Sequence, residues 1–159
     1  MVIMFICTGN IFRSMSAEHG LRHHLGRVSE VEVCSAGTDP TPRAVHPRLI
    51  AYMATKGIDV RGHKQTVLTE SVLAGADLAV AMGRDHQEWV RGRFGRELPL
   101  FNQVCYGRDE PIPDVWEGIP DWETNQVAAF RYLEGVIDHI LAGTAVLAEK
   151  LRQGAIGAR

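Results

Sequence analysis

Apolar residues fall along this chain in two recurring patterns. Val2-Ile3-Met4-Phe5-Ile6 is an unbroken apolar run, the signature of a strand buried on both faces. Residues 15–27 move to helical spacing, with Ala17, Leu21 and Leu25 on one face and Ser14 ahead of them as the expected N-cap. Residues 31–38 alternate and then reach glycine, predicting a second strand. A helix over 46–56 stops at Gly57. Residues 76–82 predict a third, buried strand, followed by a helix that ends near residue 93. Residues 97–101 predict a short fourth strand. From Asp121, as N-cap, residues 121–153 read as helix, with Val127, Phe130, Leu133, Val136, Ile137, Ile140 and Leu141 at core spacing. Gly143-Thr144 marks a break in that helix, and residues 154–159 form a fraying tail. The alternation predicts a single α/β domain over residues 1–159. It is three layers deep, a four-stranded parallel sheet with helices on both faces and ligand sites at the strand C-termini.

Composition narrows the function classes. With 17 basic and 19 acidic residues the net charge is −2, so no bulk field favours nucleic acid or an anionic membrane. The N-terminal apolar run is too short for a signal peptide, and no run is long enough to span a bilayer. Three scattered cysteines, Cys7, Cys34 and Cys105, make neither a disulfide framework nor a metal site, and they imply a reducing, cytoplasmic setting. Cys34 reads as packing. His23 and His24 are adjacent on a helix and point to different faces, so they read as solvated surface. No metal or cofactor is expected.

The chemistry concentrates where the first strand meets the first helix, at Cys7-Thr8-Gly9-Asn10-Ile11-Phe12-Arg13-Ser14. In a tight loop aimed at a helix N-terminus, successive backbone N–H groups make a nest for an oxyanion. Gly9 permits close approach, and Asn10 tolerates positive φ. Arg13 adds a planar fork matched to phosphate oxygens, and Ser14 can donate to the sulfur. A loop that welcomes an oxyanion also stabilises a thiolate at its base. Phosphoryl transfer to Cys7 would expel an alkoxide or phenoxide, which needs a proton in flight. The Pro-stiffened stretch Glu110-Pro111-Ile112-Pro113-Asp114-Val115-Trp116-Glu117-Gly118 suits such an acid, with Asp109, Glu110, Asp114, Glu117 and Asp121 all available.

These motifs resemble the low-molecular-weight protein tyrosine phosphatases and the related thioredoxin-coupled arsenate reductases. That family opens Cys-x-Gly-Asn-x-Cys-Arg-Ser-Pro-x-Ala-Glu, against Cys7-Thr8-Gly9-Asn10-Ile11-Phe12-Arg13-Ser14-Met15-Ser16-Ala17-Glu18 here. Phe12 replaces the second cysteine and Met15 the proline. The resemblance implies Cys7 as nucleophile, residues 8–14 as the phosphate loop, and Asn10, Ser14, Ser35 and His63 as its support. It selects Asp114 as general acid, although Val115 stands where the family has proline, an absence expected to loosen the loop. Trp116 keeps the family's aromatic and would wall the substrate slot. The loop after Thr38 carries no aromatic, so Phe12 either replaces the opposite wall or crowds the mouth.

The implied activity is phosphomonoester hydrolysis of the protein-tyrosine-phosphatase type through a cysteinyl-phosphate intermediate. The expected substrate is a phosphorylated protein or small aryl phosphate, and the protein is expected to be a monomer or weak homodimer. The alternatives are an arsenate reductase using an external thiol, and an oxyanion or phospho-ligand binding module with weak turnover. The reductases relay a disulfide through two further cysteines, and Met82 and Trp89 occupy those positions.

Overall fold

The structure, a computed structural model, describes residues 1–26, 30–39 and 41–156. Residue 27 of the first expected helix and residues 157–159 of the expected tail lie outside the described residues. The chain opens with β1, Val2–Cys7, and α1, Arg13–Leu25, then β2, Glu32–Gly37. Two helices follow, α2 at Pro47–Thr55 and α3 at Glu70–Ala74, before β3, Leu78–Ala81. Then come α4, Arg84–Phe94, α5, Phe101–Tyr106, α6, Val115–Gly118, and α7, Gln126–Arg152. Among the described residues no helix is long and apolar enough to cross a membrane.

The sheet has three parallel strands in the order β2-β1-β3, with Cys7 opposite Gly37 in the first pair. Alternation sorts the central strand cleanly. Ile3, Phe5 and Cys7 enter one core with Ala17 and Leu21 of α1, Phe101 of α5 and Ile140 of α7. Met4 and Ile6 enter a second core with Leu73 of α3 and Val90 of α4. Helices therefore cover both faces, as expected, but the sheet is one strand narrower than the sequence suggested.

The fourth strand shrinks to one isolated bridge between Ala81 and Leu100. Ala81 N–H donates to the Pro99 carbonyl at 2.9 Å, but Pro99 has no N–H to return to the ladder. The chain then turns at once into α5, where Phe101 and Cys105 are buried more deeply than an edge strand would hold them.

Three other boundaries differ from expectation. α1 starts at Arg13, so Ser14 lies inside the first turn instead of capping it. α7 starts after Asn125, whose side chain accepts from Ala128 N–H, while Asp121 opens a preceding turn. Val127, placed in the core by its spacing, is 72% exposed. No break occurs at Gly143, because the helix needs glycine there for contact. A Cβ on Gly143 would lie 2.6 Å from the buried Phe101 ring.

Candidate active site

Strand order locates the site before any side chain does. The connection from β1 runs outward to β2, and the later chain returns to the other side of β1 as β3. A crevice opens at such a reversal, outside the strand C-termini, and Cys7 ends β1 there. The next helix begins without a side-chain cap: Phe12, at φ −140°, is the N-cap residue and makes no capping bond. The first turn of α1 therefore keeps N–H groups for an anion.

Within the loop, Asn10 is held from several directions. Asn10 has φ 53°, the one positive-φ residue other than glycine among the described residues. Its carbonyl accepts from His63 Nε2 at 2.7 Å, and its Oδ1 accepts from Thr66 N–H at 2.8 Å. Its Nδ2 donates to Ser14 Oγ at 2.9 Å and to Ser35 Oγ at 2.7 Å. Ser35 in turn donates to the buried carboxylate of Glu18. The backbone N–H of Asn10 points at Cys7 Sγ from 3.3 Å, and Ser14 Oγ lies 2.9 Å from the sulfur. Because Ser14 already accepts from Asn10, its own proton is directed to Sγ. Two donors thus face the sulfur.

Sequence reading missed several supports. Gln65 Nε2 donates to the Gly9 carbonyl at 2.6 Å. His86, 1% exposed, accepts from Gly83 N–H through Nδ1 at 2.9 Å, which leaves its Nε2–H to donate to Thr8 Oγ1 at 3.0 Å. Burial first, then the Arg13 charge, lowers His86 to about 4 against the opposing pull of Asp85, so this imidazole stays neutral. Gln65 and His86 are distant in sequence from the loop, and no spacing pattern announces either.

Arg13 is 1% exposed and reaches across to the second stretch. One guanidinium nitrogen donates to the Ile112 carbonyl at 2.8 Å, and the other meets Asp114 Oδ2 at 2.5 Å. Its Nε is buried and has no partner among the described residues. Burial raises the Asp114 carboxyl above the usual range, with Arg13 as the chief opposing influence. The loop is not loose at Val115. Its N–H donates to Asp114 Oδ1 at 2.7 Å, a bond that proline could not make, and Glu117 Oε2 accepts from Asp114 N–H at 2.6 Å. The rival acids face elsewhere. Asp109 pairs with Arg84, Glu110 with Arg108, and Asp121 accepts from Asn125.

A cavity of about 420 Å³ joins these parts. Cys7, Thr8, Gly9, Ile11, Phe12 and Arg13 form its floor; Arg43, Ala44, His46 and Leu49 make one side; Asp114, Trp116, Trp122 and Leu133 make the other. Trp116 is 48% exposed at the rim, as a wall requires. Phe12 is 8% exposed and packs into a core with Met15, Leu49 and Met53, so it forms floor instead of a free-standing wall. Trp122 was not anticipated.

Known proteins place this architecture. The sequence profile described as low molecular weight phosphotyrosine protein phosphatase matches residues 2–105. A protein-arginine-phosphatase of Bacillus subtilis is 35% identical over 98 residues, 60% of this chain and 65% of that protein. An arsenate reductase 2 of Staphylococcus epidermidis is 36% identical over 114 residues, 72% of this chain and 81% of the reductase. The structure of a YwlE mutant from Bacillus subtilis superposes with a TM-score of 0.80 at 26% identity, covering 96% of this chain and 99% of that one. A low molecular weight protein tyrosine phosphatase from T. tengcongensis gives 0.75 at 25% identity, covering 94% and 99%. This chain belongs to the low molecular weight phosphotyrosine protein phosphatase family.

Proposed function

We propose that this protein hydrolyses phosphomonoesters, aryl phosphates such as phosphotyrosine foremost, through a phosphorylated Cys7. The observation that carries the reading is the convergence of Cys7, Arg13 and Asp114 on one cavity. In the first step Cys7 Sγ attacks phosphorus, the bond to the leaving oxygen breaks, and Asp114 gives that oxygen its proton. Arg13 turns from Asp114 to the equatorial phosphoryl oxygens, where its fork and the loop N–H groups meet the developing charge. In the second step Asp114 takes a proton from water, water attacks phosphorus, and the P–S bond breaks. Ser14 then stabilises the departing thiolate.

The cavity walls favour an aryl leaving group. Leu49, Trp116, Trp122 and Leu133 offer apolar surface, and Asp114 is the one carboxylate in the lining. A phosphorylated guanidinium needs acceptors around its nitrogens, and here Arg43 stands at the wall instead. Arsenate reduction through an internal relay lacks its cysteines. Met82 is wholly buried and Trp89 packs beside Phe94.

The test is kcat/KM on p-nitrophenyl phosphate, a phosphotyrosine peptide and a phosphoarginine peptide, for wild type and Cys7→Ser. Wild type is expected to prefer the two aryl substrates, and Cys7→Ser to lose all turnover. Near-wild-type hydrolysis by Cys7→Ser would remove the nucleophile assignment. A preference for phosphoarginine would overturn the substrate assignment.

A further inference from the structure

Behind the phosphate loop, away from the substrate cavity, three ligand-bearing side chains converge. Glu18 and His19 are consecutive on α1, and His63 closes a turn in which its own N–H donates to the Val60 carbonyl. Their ligand atoms all lie within 4.8 Å of one another. His19 Nε2 and His63 Nδ1 are only 3.2 Å apart, with the rings edge to face at 71°. Two Zn–N bonds of about 2.0–2.1 Å at a tetrahedral angle would hold their nitrogens about 3.3 Å apart. The imidazoles already stand at that separation.

The surroundings fit a metal as well as the spacing does. His63 uses Nε2 to donate to the Asn10 carbonyl at 2.7 Å, so Nδ1 carries the lone pair. That outer bond to a carbonyl is the one metal-bound histidines ordinarily make. The Glu18 carboxylate is buried and already oriented by Ser35 on one oxygen. Its other oxygen meets Arg22 at 2.7 Å, and the half-exposed Arg22 also donates to the Val33 carbonyl. A cavity of about 280 Å³ reaches these groups, with Lys64 and Thr66 on its wall.

We propose that Glu18, His19 and His63 bind a divalent cation of the zinc class, with water completing the coordination from the open side. Two imidazoles and a carboxylate select zinc-like ions over magnesium or calcium, which want oxygen throughout. On binding, the His19 proton moves from Nε2 to Nδ1, and one Glu18 oxygen turns from Arg22 to the metal. The ion then clamps α1 to His63, and through His63 to the carbonyl of Asn10. No metal was legible in the sequence, because residues 18 and 19 and residue 63 share no ligand spacing.

The experiment is zinc titration of the metal-free full chain in the Cys7→Ser background, read by calorimetry and by competition with a chelating dye. That background removes the catalytic thiol as a rival ligand and makes the readout independent of phosphatase activity. One equivalent is expected to bind, His19→Ala to weaken binding at least about tenfold, and a His23→Ala/His24→Ala pair to leave it unchanged. Histidine ring NMR of the unsubstituted site should show His19 and His63 shifting together on zinc addition. No uptake, unchanged affinity in a folded His19→Ala protein, or ring shifts confined to other histidines would each overturn the site.

Discussion

Asp114 stands between opposing influences. Burial favours its protonated form, while Arg13 and the Val115 N–H favour the carboxylate, and burial prevails. A general acid works only while it carries its proton, so turnover of substrates with basic leaving groups should fall as pH rises through this raised value. Asp114→Asn is expected to remove that alkaline limb and to slow an alkyl or unactivated aryl phosphate roughly a hundred- to ten-thousandfold. An activated aryl phosphate, whose leaving group departs without a proton, should lose far less. Rate–pH profiles on a leaving-group series measure both effects, and equal losses across the series would reduce Asp114 to a holder of Arg13. Val115→Pro should also lower activity, since it deletes the N–H that fixes Asp114 Oδ1.

At the scale of elements, the end of β2 is pressed against the phosphate loop. A Cβ on Gly37 would sit 2.6 Å from the Thr8 carbonyl and 3.2 Å from the Asn10 N–H nitrogen. Thr8 O is also pinned by Asp39 N–H at 2.9 Å, so the loop cannot step aside without losing bonds. Gly37→Ala should therefore displace the loop and cost roughly a hundredfold in kcat/KM. Far-ultraviolet circular dichroism should stay native in shape, and wild-type activity at an unchanged Tm would show that the loop yields freely. This contact was half legible. The strand ending in Ser35-Ala36-Gly37 was readable from its alternation, as was β1 from its apolar run. The reason for its glycine was not, since the neighbour it spares lies 29 residues earlier. The same division runs through the site. Cys7, Arg13 and the loop between them form one continuous segment, so local pattern and a family resemblance reached them. Ser14 misled as a cap because its hydroxyl serves the sulfur, and the fourth strand misled because Pro99 and the early start of α5 cut it to a bridge. His86, Gln65 and Glu18 act across the fold, where only packing brings them to Thr8, Gly9 and Ser35.

The whole molecule decides how Cys7 meets an oxidant. All three cysteines are free, and the sheet separates Cys34 from Cys7. Cys34 sits one register position from Ser35 on β2 and packs with the Met4–Ile6 core, on the face opposite Cys7. Cys105 shares the Cys7 face, but it is 1% exposed within α5. Burial, the leading cause in each case, pushes the Cys34 thiol up to about 11 and the Cys105 thiol up to about 12. Neither offers thiolate near neutral pH to attack a sulfenic acid, and Phe12 fills the position where the family keeps a neighbouring cysteine. Peroxide should therefore carry Cys7 from sulfenic acid on to sulfinic acid, because no resolving thiol intercepts the first product. Activity lost to peroxide should return poorly on adding thiols, and mass spectrometry should find the dioxidised form on Cys7 alone. Bound inorganic phosphate should slow the loss by covering the sulfur. Full thiol-reversible recovery with a mapped Cys7–Cys105 disulfide would show instead that α5 moves far enough to bring the two sulfurs together.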